Sequence, residues 1–75
     1  MKKTYASTDL YLCCFLKAKG MKLTNVERDG RRNTFVFEDR TDREELIKEF
    51  YNDGTVKVND FKNAIVDLKS VIYNF

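Results

Sequence analysis

Residues 21–38 have the sequence M-K-L-T-N-V-E-R-D-G-R-R-N-T-F-V-F-E, and they predict a β-hairpin at the centre of the fold. Two runs rich in β-branched and aromatic residues flank Asp29-Gly30, and an Asp-Gly pair in such a setting is a strong signal for a hairpin turn. A loop of three residues, 28–30, pairs Leu23 with Phe35 and so sets the register.

This register is preferred because it collects the large apolar side chains on one face of the hairpin. A two-residue turn at Asp29-Gly30 divides them between both faces, and each such group contributes about 1.5–3 kcal/mol when it is buried. The core face is therefore expected to carry Met21, Leu23, Phe35 and Phe37. The second face is β-branched and moderately apolar, and it is a candidate protein interface: Thr24, Val26, Thr34 and Val36.

Helical patterns lie on both sides of the hairpin. A helix is expected over residues 8–19, capped by Ser7 or Thr8, and a second over residues 42–52, with Thr41 and Glu44 forming a capping box. The most regular apolar spacing begins after a cap at Asn59 and predicts the last helix. Its apolar stripe comprises Phe61, Ala64, Ile65, Leu68, Val71, Ile72 and Phe75.

Two short strands complete the predicted element list. Residues 3–6 are compatible with a strand, and the alternation Thr55-Val56-Lys57-Val58 predicts a minimal one. The order is then (β)αββαβα, an α+β fold with a small antiparallel sheet built on the central hairpin and with three helices. Its first six elements match the split βαβ (ferredoxin-like) order, and an additional C-terminal helix follows.

Length and composition restrict the class of protein. The 75 residues form one predicted domain, 1–75, and a chain of this size has little room for a large internal ligand cavity. The absence of His removes the commonest general base and leaves no set of zinc ligands. No catalytic group, metal, cofactor or small-molecule substrate is indicated, so we do not expect an enzyme.

Charge is distributed unevenly along the chain. Residues 1–37 contain eight basic and three acidic residues, whereas residues 38–75 contain six basic and nine acidic residues. The basic residues at the hairpin are a candidate nucleic-acid contact because guanidinium and ammonium groups bind phosphates. These residues are Arg28, Arg31, Arg32 and Lys22, although Glu27 and Asp29 cancel part of their field.

Cys13 and Cys14 are adjacent, which prevents a strain-free disulfide between their side chains on a helix. Buried thiols in a reducing compartment fit this arrangement. The apolar run of residues 10–16 is too short to span a membrane and is not followed by a cleavage site for secretion. We expect a cytoplasmic protein without a membrane partner.

Several short segments give the chain a family resemblance. They are Thr8-Asp9-Leu10-Tyr11-Leu12, the helix end from Leu16 to Gly20, Phe35-Val36-Phe37-Glu38-Asp39, and Phe50-Tyr51-Asn52. With these segments the chain resembles a family of small uncharacterised domains common in Gram-positive bacteria, their phages and mobile elements. The resemblance implies a stand-alone domain of unknown function, with no established catalytic residue to carry over.

Three functional hypotheses remain open at this level. The first is a non-enzymatic protein-interaction module, self-associating or recruited by another protein, that uses the second hairpin face or an exposed side of the last helix. The second is a nucleic-acid-binding accessory protein that uses the basic hairpin tip. The third, a small enzyme, has the least support in the sequence.

Overall fold

The computed structural model describes residues 3–73 and shows a flat α+β domain. Within these residues the elements are β1 (Thr4–Ser7), α1 (Leu10–Ala18), β2 (Leu23–Asp29), β3 (Arg32–Glu38), α2 (Arg43–Tyr51) and α3 (Val58–Tyr73). The Cα positions extend over 32 × 31 × 17 Å, which fits one sheet layer and one helix layer. The α+β class and the central hairpin are as predicted.

The strands form one antiparallel sheet in the order β1-β3-β2. This is the order that the split βαβ arrangement requires of its first three strands. The predicted strand over Thr55–Val58 is wrong, because residues 55–57 are irregular and Val58 already belongs to α3. A four-residue alternation is too short to overrule the helical pattern that follows it.

The predicted hairpin register is also wrong, for two local reasons. Asp29 lies opposite Arg32, so the loop is the two-residue Gly30-Arg31. Gly30 has φ +61° and Arg31 does not have a positive φ, which matches the requirement of a type II′ turn for Gly at its first central position.

A bulge at Thr24 then shifts the pairing by one residue. Leu23 lies opposite Phe37, whereas Asn25 lies opposite Val36, so Thr24 is the extra residue on β2. Its hydroxyl donates a hydrogen bond to the carbonyl oxygen of Val36 at 3.1 Å. The bulge reverses the side-chain alternation of β2, and Leu23 and Val26 thereby reach the same face.

The core lies between the inner sheet face and the helices. α1 contributes five consecutive buried residues and packs against both α2 and α3. Met21 and Phe37 are buried as predicted, and Val26 joins them. The buried apolar residues are Leu12, Cys13, Cys14, Phe15, Leu16, Met21, Val26, Phe35, Phe37, Leu46, Ala64 and Leu68.

The helix starts differ from the sequence predictions. Asp9, rather than Ser7 or Thr8, caps α1, and its carboxylate accepts hydrogen bonds from the backbone N–H groups of Tyr11 and Leu12. α2 follows Asp42 and has no side-chain cap bond, so the predicted capping box of Thr41 and Glu44 is wrong. The apolar stripe of α3 is confirmed through Ile72, and Phe75 lies outside the described residues.

Candidate interaction surfaces

An apolar groove is lined by residues of the three helices and of the segment that joins α2 to α3. Phe15 of α1 and Phe50 of α2 contribute to it, and their ring centroids are 5.5 Å apart with a tilt of 53°. α3 and the segment before it provide most of the remaining lining. The groove has a volume of about 660 Å³ and is lined by Phe15, Phe50, Asp53, Gly54, Val56, Val58, Phe61, Lys62, Ile65 and Val66.

The end of α2 determines where this lining segment lies. Asn52 ends the helix, Asp53 adopts φ 58°, and the backbone N–H of Gly54 donates to the carbonyl oxygen of Glu49 at 2.6 Å. A Cβ at residue 54 would lie 2.5 Å from that oxygen, so only glycine permits the approach. The chain turns sharply here and leads Val56 and Val58 into the groove.

The large exposed apolar side chains all lie on helices within residues 3–73. Val58 is 80% exposed and Val66 is 58% exposed, and both line the groove. Solvent-exposed apolar groups collected on one surface are typical of interaction sites. The full set is Tyr11, Tyr51, Val58, Val66 and Tyr73. The helix layer is therefore the more apolar outer surface of the described domain.

The candidate interface on the second hairpin face changes accordingly. Val26 is buried opposite Phe35 and belongs to the core, so its predicted placement is wrong. Thr34 and Val36 are half-buried and Thr24 is exposed. The predicted role of these three residues in an interface stays a prediction.

The predicted basic cluster is divided by the structure. Arg28, Arg31 and Arg32 lie at the hairpin tip and are exposed. Lys22 precedes the opposite end of β2, and six residues of extended chain, roughly 20 Å, separate it from Arg28. The nearby lysines are also engaged, because Lys17 pairs with Asp67 at 3.7 Å and Lys19 pairs with Glu49 at 3.3 Å.

A second cavity lies beside the hairpin tip and has a volume of about 720 Å³. It combines the side chains of Arg31 and Arg32 with apolar groups from the start of α1 and the end of α3. One acidic residue, Asp29, also contributes. The lining comprises Thr8, Leu10, Asp29, Arg31, Arg32, Asn33, Phe35 and Ile72. The arrangement suits an anion that carries an apolar part.

Arg43 connects α2 to β1 and to Asp39, the residue that follows β3. Its guanidinium lies 4.4 Å from the ring centroid of Tyr5, and its Nε donates to Oδ1 of Asp39 at 3.2 Å. This hydrogen bond lowers the pKa of Asp39 and raises that of Arg43. A cation–π contact together with an ion pair orients α2 on the edge of the sheet. No sequence pattern predicts this contact.

Both thiols are inside the protein, as expected. Burial raises the pKa of Cys13 to about 12, and burial also raises the pKa of Cys14. The Sγ of Cys13 lies 3.7 Å from the carbonyl oxygen of Ser7. Across residues 3–73 there is no group of His, Cys, Asp or Glu suited to a metal ion. Nor does that part of the chain contain a helix long and apolar enough to cross a membrane.

These features define a small two-layer α+β domain with an apolar groove on its helical side and a basic hairpin tip. The chain belongs to the family DUF5659, a domain of unknown function, whose profile matches residues 2–74. The resemblance to a family of uncharacterised domains is thereby confirmed, whereas the range of Gram-positive bacteria, phages and mobile elements stays a prediction. Comparison with curated proteins and with solved structures found no match.

Proposed function

We propose that this domain is a non-enzymatic protein-interaction module that binds a protein partner through the groove on its helical side. The observation that carries the proposal is the exposure of Val58 and Val66 in a groove whose lining is mostly aromatic and aliphatic. Burial of such side chains contributes about 25 cal/mol per Å² of apolar surface, so a partner that covers them gains free energy. The setting we propose is a cytoplasmic protein of the phage or mobile-element type.

The interaction predicted from the sequence includes self-association, in which the partner is a second copy of the chain. A homodimer that joins two helical faces would shield the groove of each copy. Light scattering on the purified chain measures this directly, and a mass of one copy at high concentration would exclude the homodimer. A heterologous protein partner is then the remaining form of the proposal.

The test of the interaction function compares two exposed positions on opposite layers. Val66→Glu places a charge in the groove, whereas Ala6→Glu places one on the exposed side of β1. Affinity capture from cells of the source organism, with the wild-type chain and both variants as baits, should yield proteins that Val66→Glu loses and Ala6→Glu keeps. Equal capture by all three baits would contradict the proposal, provided that circular dichroism shows both variants folded.

A second candidate function, nucleic-acid binding, is supported by the cavity beside the hairpin tip. Arg31 and Arg32 share that cavity with Asn33 and with the apolar Leu10 and Ile72. Phosphate binding by arginines is strongly salt-dependent because it releases counterions. Fluorescence anisotropy with labelled single-stranded DNA and RNA at low salt should then show binding that Arg31→Ala and Arg32→Ala weaken. Absence of binding by the wild-type chain would remove this candidate.

A further inference from the structure

We propose that the groove accepts an amphipathic helix whose polar flanks are acidic. The inference rests on the proposed function and specifies the chemistry of its partner. It follows from two independent features of the groove: the sign of the charges along α3, and the lack of hydrogen-bonding groups along its apolar walls.

The charges of α3 are separated onto two flanks. Lys62 lines the groove, and Lys69, seven residues later, lies on the same side of the helix. Asp60 and Asp67 lie on the other flank, where both line a cleft with Lys17 of α1. On α3, Lys62 therefore lies at the groove, Lys69 continues the same side of the helix beyond the lining, and the two aspartates lie on the opposite flank.

The two lysines are available to a partner. Neither Lys62 nor Lys69 forms an ion pair with another residue of the described range, whereas Asp67 is paired with Lys17. Lys57 immediately precedes α3, is exposed and adds a further positive charge. One acidic residue, Asp53, lines the groove at the end of α2 and opposes this field in part. Lys62 and Asp53 balance within the lining, and Lys57 and Lys69 outside it leave the surroundings of the groove net positive, which favours acidic residues in a partner.

The apolar lining favours a helix over an extended segment. Phe15, Phe61 and Ile65 offer no donors or acceptors from their side chains, so an extended peptide would leave its backbone groups unpaired against them. A helix satisfies its own backbone and presents apolar side chains at intervals of three and four residues. The part of α3 that lines the groove runs from Val58 to Val66, about 12 Å at 1.5 Å per residue, and thus accepts just over two turns of a partner helix.

The test uses two synthetic helical peptides of about 14 residues that differ only in their flanks. Both carry leucines on one face, and the flanking positions are Glu in one peptide and Lys in the other. Fluorescence anisotropy at about 50 mM NaCl should show the Glu peptide binding the wild-type domain at least about fivefold more tightly. Raising NaCl to about 300 mM should reduce this preference.

Variants of the domain assign the preference to particular residues. The double change Lys62→Glu and Lys69→Glu should reverse the order of the two peptides. The matched control Asp60→Lys changes charge on the opposite flank of α3 and should leave the order unchanged. Circular dichroism and thermal unfolding establish that each variant folds.

The outcomes separate this inference from the proposed function. Equal or tighter binding of the Lys peptide overturns the acidic-helix inference while the groove remains a binding site. Failure of both peptides to bind also overturns it, and the capture experiment with Val66→Glu then decides independently whether the groove binds another kind of protein. A mass of two copies that Val66→Glu reduces to one would also overturn the inference, because a second copy then covers the groove.

Discussion

Val26 and Phe35 are directly opposed across the hairpin, and both side chains are buried. Val26 is three residues from Leu23, an odd separation that places two side chains on opposite faces of a regular strand. The bulge at Thr24 supplies the additional residue that brings both to the inner face. The chain thus gains one more buried β-branched residue for its small core.

The first prediction concerns this register. Val26→Ala should lower the free energy of unfolding by about 2 kcal/mol, because it removes buried methyl groups and leaves a cavity. Val36 lies on β3, points away from the core face that carries Phe35 and Phe37, and is only half-buried. Val36→Ala should therefore lower the free energy of unfolding by less than about 1 kcal/mol. Urea denaturation measures both values. Equal losses of stability, or a larger loss for Val36→Ala, would indicate a hairpin register without the bulge at Thr24.

The second prediction compares two glycines that are required for different reasons. Gly30→Ala should cost about 1–2 kcal/mol because φ is positive there, although no other atom lies within 4 Å of the added Cβ. Gly54→Ala should cost more, since its Cβ would meet the Glu49 backbone. Thermal unfolding of both variants tests the order, and Gly30→Asn, which tolerates positive φ, is the control for the turn.

The third prediction concerns the start of α1. Asp9→Ala should lower stability by about 1 kcal/mol, because two backbone N–H groups lose their acceptor. Thr8→Ala should change it by less than about 0.5 kcal/mol. The comparison is made by chemical denaturation at one pH. A larger loss of stability for Thr8→Ala than for Asp9→Ala would indicate that Thr8, one of the two caps predicted from the sequence, caps α1.

The fourth prediction concerns pH. Burial raises the pKa of Cys13 from the ordinary value of 9.0 to about 12, so folding favours the neutral thiol. Its contribution to stability is complete below pH 9 and is lost as the pH rises from about 9 to about 12. The free energy of unfolding should therefore fall over this range, and less steeply for Cys13→Ala.

Thiol chemistry provides a separate measurement of the same burial. A water-soluble thiol reagent at pH 8 should react slowly with the folded chain and fully in denaturant, because the thiolate is the nucleophile and both sulfurs are enclosed. Fast reaction of the native protein would contradict the buried positions of Cys13 and Cys14.

Periodic patterns made much of the fold predictable. The spacing of Ala64 and Leu68 identifies the buried side of α3, and the apolar residues within 8–19 predict α1, in which residues 12–16 are buried and Tyr11 is 64% exposed. The prediction of a strand at 55–58 is wrong because four alternating residues are also compatible with the start of a helix. For the candidate site, the sequence indicated an exposed side of the last helix without specifying the groove.

The sequence by itself determined the α+β class, the three helices, the central hairpin and the burial of Phe35 and Phe37, because periodicity of apolar residues is a local property of the chain. Only the tertiary structure decided the hairpin register, since a bulge leaves no regular pattern and its benefit comes from packing against the helices. The position of the groove was likewise decided only by the tertiary structure. It exists because Phe15, Phe50 and Phe61, which lie on three different helices, meet on one surface.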